Sequence, residues 1–171
     1  IGGVPNENLT PIDAVKFAAA YGFWLKNHVH KTRIKVVVGR DARLSGEMVQ
    51  NLVQYTLIGL GIDVVDLGLS TTPTVEVAVT MEQADGGIIL TASHNPKQWN
   101  ALKLLNNQGE FLNAQEGEEI LRIAADNSAV FAEVDALGTL SHNDTYIQRH
   151  IDAALSLLPL ATIEAIRQRH F

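Results

Sequence analysis

The apolar residues of this chain fall into two rhythms. Ile34-Lys35-Val36-Val37-Val38 is short and β-branched, and 62–67 (Ile-Asp-Val-Val-Asp-Leu) is similar. Such runs suit strands buried on both faces. Between them Val49, Leu52, Val53, Thr56 and Leu60 recur at helical spacing. Ser45 is expected to cap that helix, and Gly59 and Gly61 to end it. Upstream, Thr10-Pro11-Ile12-Asp13 reads as a helix start. Thr10 can cap, Pro11 suits the first turn, and Asp13 faces the positive helix end. Ile12, Val15, Ala19 and Phe23 then predict an apolar face on a helix to about residue 27.

The stretch 73–81 is two-sided. Val75, Val77 and Val79 alternate like a strand, yet Thr72-Pro73 is a helix-start signal. Alternation with strands requires a helix there. Asp85-Gly86-Gly87 reads as a turn and 88–91 as a strand. A further strand over 101–105 follows after about ten residues without a helix. That is short for a parallel crossover, so an antiparallel edge strand is expected. Asn106 to Gly109 is a turn. Asn113 and Glu116 form a capping-box pattern for a helix to about Asp126. Residues 127–142 carry no periodicity, and helices are expected over 143–157 and 162–170. The result is a three-layer α/β/α domain with a mostly parallel, mixed sheet and one antiparallel edge strand. Ligands of such sheets bind beyond the carboxyl ends of the strands. Two loops lie there, 39–46 and 91–103.

Composition narrows the function. With 171 residues, 46% hydrophobic and 19% charged, the chain can bury a sizeable core. It has no cysteine, which excludes disulfides and zinc–thiolate sites and fits a reducing compartment. A net charge of −6 makes nucleic acid or an anionic membrane a poor partner. No apolar run is long enough to span a bilayer. The chain opens on Ile1-Gly2-Gly3 without methionine, and its last helix has no cap signal. It therefore reads as a piece of a longer protein.

The loop Thr91-Ala92-Ser93-His94-Asn95-Pro96, followed by Asn100 and Lys103, holds the candidate chemistry. Ser93 can be a nucleophile, with His94 and Lys103 handling protons or binding phosphate. It can equally be a capped turn, because Ser and Asn satisfy turn backbone and Asn-Pro initiates turns. Adjacent residues on an extended loop point apart, so a Ser93–His94 hydrolase pair is disfavoured. No Gly-x-Ser-x-Gly elbow is present. In Gly39-Arg40-Asp41-Ala42-Arg43-Leu44-Ser45-Gly46, two arginines beside a helix start suit an anion. The alternative is an Arg–Asp ion pair that braces the loop. His28 and His30 lack further ligands for a metal and read as solvent-facing. Asp63 and Asp66 read as solvated strand ends, and His142, His150 and His170 have no evident partner. Trp24 fits a core, while Trp99 either shields the 91–103 loop or anchors it.

At these loops the chain resembles the α-D-phosphohexomutase superfamily of phosphoglucomutases, phosphomannomutases and phosphoglucosamine mutases. Thr91-Ala92-Ser93-His94-Asn95-Pro96 looks like its phosphoserine loop. Asn100-Ala101-Leu102-Lys103 looks like its Asn-Gly-x-Lys continuation, and 39–46 like its Gly-Arg-Asp-x-Arg-x-Ser-Gly stretch. The resemblance covers the chain as the first of four domains. It implies that Ser93 carries a phosphoryl group between the 1- and 6-positions of a hexose phosphate, through a hexose 1,6-bisphosphate. It implies His94 and Lys103 as catalytic residues, and Asn95, Arg40 and Arg43 as substrate- or phosphate-binding residues. Mg²⁺ is implied as cofactor, with Ser93 a ligand through its phosphate and its other ligands in a second domain. The partners implied are a phosphosugar and the remaining domains of the same chain, in the cytoplasm. Residues 1–157 would form the domain, and 158–171 would start the connection to the next. Alone, the domain is expected to be inactive.

Ala101 departs from the family's glycine, so positive φ is not readily available there. The family's opening Ser/Asp-Gly-x-Arg-Gly segment is not matched, and neither are its sugar-recognition and phosphate-binding loops. The identity of the sugar is therefore left open. A sugar phosphatase using the same serine, and a non-catalytic phosphosugar-binding module, are the alternative functions.

Overall fold

The computed structural model describes residues 1–5 and 7–169. Its strands are β1 (Gly2–Gly3), β2 (Ile34–Arg40), β3 (Ile62–Leu69), β4 (Gly86–Leu90), β5 (Asn100–Leu105) and β6 (Leu140–His142). Its helices are α1 (Pro11–His28), α2 (Gly46–Gly59), α3 (Thr72–Met81), α4 (Ala114–Asp126), α5 (Tyr146–Ser156) and α6 (Leu160–Gln168). The strands form one sheet in the order β1-β5-β4-β2-β3-β6. β4, β2, β3 and β6 run parallel, while β5 is antiparallel to β4 and to β1. The domain is thus α/β with a mixed, mostly parallel sheet, as the sequence pattern predicts. The expected helix at 143–157 starts later, and Asn143 instead accepts hydrogen bonds from the Thr145 amide and hydroxyl. His170 lies outside the described residues.

Two cores fill the layers. On one face Val36, Val38, Ile88, Leu90 and Leu102 meet α1, α2 and α4. On the other, Val37, Val65 and Ile89 meet Val75, Ala78 and Val79 of α3 and Tyr146 of α5. The valine alternation of 73–81 is therefore a buried helix face, and Thr71 is its cap, accepting from the Thr74 amide. Burial on both sides explains why β2 and β4 are nearly continuously apolar.

Several expectations are corrected. The inward face of α1 is Ala14, Ala18, Tyr21, Trp24 and Leu25, and Ile12 is 77% exposed. The helix packs on the sheet, α2 and α4 together, and small alanines permit that close approach. Ser45 does not cap α2 through its side chain. Its hydroxyl instead accepts from Asn100 Nδ2 at 3.0 Å. β5 is not outermost, because β1 pairs along it. The stretch 127–142 contains an edge strand, β6, beside β3.

Gly86 and Gly87, read as a turn, are strand residues opposite Val36 and Val37. Glycine is needed there for close approach. A Cβ on Gly86 would lie 2.0 Å from the Tyr21 hydroxyl oxygen. That hydroxyl donates to the Leu105 carbonyl at 2.7 Å across the buried sheet. The turn feature is Asp85 alone, whose carboxylate accepts from Lys31 Nζ at 2.6 Å and the Lys35 amide at 3.0 Å.

The histidines and strand-end aspartates are more engaged than the sequence suggests. His28 meets the Trp24 carbonyl at 2.9 Å and Glu119 at 3.3 Å. Asp63 accepts from Arg33 and Thr139, Asp66 contacts His142 at 3.1 Å, and His150 meets Thr74 at 3.1 Å. Trp24 is buried, as expected.

Candidate active site

Arg40, at the end of β2, pairs with Leu90, at the end of β4. The loops that follow therefore leave the sheet side by side, at its carboxyl edge. The Asp41 amide continues the ladder by donating to the Leu90 carbonyl at 3.0 Å, and Thr91 donates to Ala101 at 3.0 Å. From that point Asp41 organises the site. Its Oδ1 accepts from the Arg43 amide at 3.0 Å. Its Oδ2 accepts from Arg43 Nε at 3.0 Å and from the Thr91 hydroxyl at 2.6 Å. Thr91 Oγ1 in turn accepts from the Ser93 amide at 3.0 Å.

Ser93 is exposed and sits at φ 54°, in the left-handed region. For a residue with a Cβ that conformation costs about 1–2 kcal/mol, and the hydrogen bond from its amide to Thr91 helps hold it. Lys103 reaches it from β5, and its Nζ donates to Ser93 Oγ at 3.0 Å. The same ammonium lies 5.7 Å from the centre of the Phe111 ring, within cation–π range. His94 and Asn95 are exposed, and their side chains make no hydrogen bond among the described residues. The hydroxyl's partner is thus the lysine and not the adjacent histidine.

The two arginines stand differently. Arg40 Nε donates to Gln50 at 2.7 Å and Nη1 to the Asp41 carbonyl at 3.1 Å. Its Nη2 has no partner among the described residues. Gln50 is held by Asp66, to which it donates. Arg43 is nearly buried, with 10% of its side chain exposed, and binds the 93–99 loop through main-chain carbonyls. Trp99 anchors the same loop, its amide donating to Pro96 at 2.9 Å and its carbonyl accepting from Arg43 at 3.0 Å.

The structure therefore gathers Ser93, Lys103, Asn95 and Arg43 in one loop cluster, with Arg40 attached through Asp41. The Arg–Asp pair that the sequence offered as a brace for the 39–46 loop forms between Arg43 and Asp41 at 3.0 Å, and Thr91 joins it although no sequence signal gave it a role. The signal was present for Asp41, as a carboxylate between two arginines. Ala101, the departure from the family's glycine, lies in β5 without positive φ, opposite Gly2. A Cβ on Gly2 would fall 2.7 Å from the Ala101 Cβ, so the two positions cannot readily both carry side chains.

An exposed serine just beyond the carboxyl end of one strand, met by a lysine of the antiparallel neighbour, defines a three-layer α/β domain that presents a hydroxyl at the sheet edge. The model for the phosphoglucomutase/phosphomannomutase α/β/α domain I matches residues 1–130. The chain belongs to this family, as domain I of a phosphohexomutase. It is 35% identical over 169 residues to a phosphoglucomutase/phosphomannomutase of Thermococcus kodakarensis, covering 99% of the chain and 36% of that protein. It is 36% identical over 143 residues to a phosphoglucosamine mutase of Ligilactobacillus salivarius, covering 82% of the chain and 32% of that protein. The crystal structure of a putative phosphomannomutase from Thermus thermophilus superposes with a TM-score of 0.81 at 28% identity, covering 94% of the chain and 35% of that structure. The chain thus spans about a third of the length of these relatives.

Among the described residues no three His, Cys, Asp or Glu side chains are grouped to hold a metal. No helix among them is long and apolar enough to cross a membrane.

Proposed function

We propose that Ser93 is the phosphoryl carrier of a mutase that interconverts hexose 1-phosphate and 6-phosphate. The observation that carries this reading is the 3.0 Å donation from Lys103 Nζ to an exposed Ser93 Oγ at a strand end. In the first half-reaction the phosphorus–Oγ bond of phospho-Ser93 breaks as phosphorus bonds to a free sugar hydroxyl. The sugar proton leaves to a base, for which His94 is the nearest exposed candidate in sequence. Lys103 neutralises the departing Ser93 oxygen. The hexose 1,6-bisphosphate formed then returns its other phosphate to Ser93 by the same steps reversed. Phosphoryl transfer of this kind needs positioning and charge neutralisation more than covalent assistance. Arg40, with an uncommitted Nη2, and Asn95 bind the phosphosugar.

The donor chemistry at Ser93 suits Mg²⁺, a hard cation that takes oxygen ligands. Ser93 would hold it through its phosphate. Bound there, the ion offsets phosphate charge. The remaining ligands belong to a second domain. Residues 1–157 form the body, and 158–171 begin the connection, because α6 buries no side chain among the described residues. We place the enzyme in the cytoplasm and regard the domain by itself as inactive.

The test is a panel of glucose, mannose and glucosamine phosphates presented to the complete enzyme and to its Ser93→Ala variant. Isomerisation that disappears with Ser93→Ala supports the mutase. Steady phosphate release without isomerised sugar would identify a phosphatase. Undiminished activity and sugar binding in Ser93→Ala would identify a binding module.

A further inference from the structure

Of the two arginines assigned to anion binding, Arg43 has no donor left for an anion. A guanidinium carries five N–H donors. Nε serves Asp41 at 3.0 Å, Nη1 serves the carbonyls of Pro96 at 2.9 Å and Trp99 at 3.0 Å, and Nη2 serves those of Ser93 at 2.8 Å and Asn95 at 3.0 Å. Four carbonyls of one loop thus converge on one planar group. No regular strand or helix pairs these carbonyls, and among the described residues only that of Pro96 has another main-chain donor, the Trp99 amide at 2.9 Å. One of them is the carbonyl of Ser93 itself.

We infer that Arg43 is a positioning residue. It templates the 93–99 loop and holds Ser93 in its left-handed conformation, and it does not contact the phosphosugar. Asp41 is the second half of this template. It orients the guanidinium through Nε and, through Thr91, the Ser93 amide. Lysine cannot replace Arg43, because an ammonium has three donors and no planar fork. The inference deepens the mutase reading and rests on it for the meaning of Ser93's position. The first measurement below needs neither phosphate nor turnover, so it stands apart from that reading.

Lys97 lies exposed in the middle of the loop, and Lys35 lies inside β2. Limited trypsin digestion of the 171-residue chain compares the two cleavages. In Arg43→Ala we expect cleavage after Lys97 to rise about tenfold or more, with cleavage after Lys35 unchanged. Should Arg43→Ala loosen β2 as well, Arg43→Lys carries the same expectation with a smaller rise. Cleavage after Lys97 that is no faster than wild type in either variant overturns the inference. In the complete enzyme Arg43→Lys should lower kcat about 100-fold, the effect of a misplaced reactive group, while KM for the sugar phosphate stays constant. A raised KM with unchanged kcat would make Arg43 a phosphate ligand and overturn the inference.

Discussion

Lys103 Nζ sits 3.0 Å from Ser93 Oγ, although the two lie ten positions apart in sequence. The antiparallel turn of β5 back along β4 produces this meeting. The adjacent His94, by contrast, has a side chain that bonds nothing among the described residues. On the proposed mutase reading, Lys103 rather than His94 is the group that would handle the proton at the serine. Lys103→Met in the complete enzyme should lower kcat by about 10²–10⁴-fold, the usual contribution of a general acid or base. Because the side chain is at the surface, the melting temperature should change little. A steady-state assay beside a thermal melt checks both. Normal turnover in Lys103→Met would remove the lysine from the mechanism.

Tyr21 and Gly86 should be coupled. The hydroxyl crosses the sheet to Leu105 because Gly86 leaves it room. Tyr21→Phe leaves a buried carbonyl short of a donor and should cost about 1–3 kcal/mol. Gly86→Ala drives a methyl into the hydroxyl and should cost about 1–3 kcal/mol by overpacking. The double variant removes the closest contact, that with the hydroxyl, so its loss should be smaller than the sum. Chemical denaturation of all four proteins closes the cycle, and strict additivity would contradict the packing described.

Glu82 should make stability sensitive to acid. Partial burial opposes its charge. Even so, hydrogen bonds from Tyr146, Lys35 and Asn143, and the Lys35 charge, hold its carboxyl below the ordinary value of 4.5. Tyr146, buried and bonded to Glu82 at 2.8 Å, is pushed up to about 12. A carboxyl depressed in the folded state binds fewer protons there than in the unfolded chain. Its stabilisation is complete above 4.5 and fades as pH falls through that value and below the lower folded one. Thermal melts from neutral to acid pH should therefore decline less steeply in Glu82→Gln than in wild type. Identical slopes would show that this carboxyl contributes nothing.

Asn100 and Ser45 tie the two loops together. Asn100 is fully buried, and its Nδ2 donates to Ser45 Oγ at 3.0 Å. Asn100→Ala should destabilise the domain by about 1–3 kcal/mol, the range for a buried hydrogen bond broken on one side. Ser45→Ala should cost a comparable amount, because it strands the buried amide. If Ser45 were instead an N-cap, Ser45→Gly would restore most of the loss. Urea midpoints of Ser45→Ala and Ser45→Gly separate the two roles.

The long elements were legible because their periods are long. α2 carries enough apolar positions to declare a face, β2 and β3 read as runs buried on both sides, and the disputed helix at 73–81 was decided by Thr72-Pro73 and by its place between strands, against its own alternating valines. The short ones were not. β1 spans two residues and β6 three, and they are strands only because a neighbour offers an edge. Gly86 and Gly87 carry turn chemistry in sequence, and only the proximity of Tyr21 and Val79 explains them as strand. At the site, Ser93, His94 and Lys103 were evident as reactive types. The Arg43–Asp41 brace was legible as an Arg–Asp pair, but the anchoring of Arg43 on loop carbonyls and of the Ser93 amide on Thr91 was not, since no side-chain pattern announces contacts to main-chain groups.

The mutase reading turns on whether Ser93 carries a phosphoryl group. Intact-mass analysis of the complete enzyme, before and after incubation with a hexose 1,6-bisphosphate, tests it most directly. We expect one added phosphoryl group on the wild-type protein, none on Ser93→Ala, and loss of the group when hexose monophosphate is supplied. The same phosphoryl group retained on Ser93→Ala, or wild-type protein that is never phosphorylated while turning over, would contradict it.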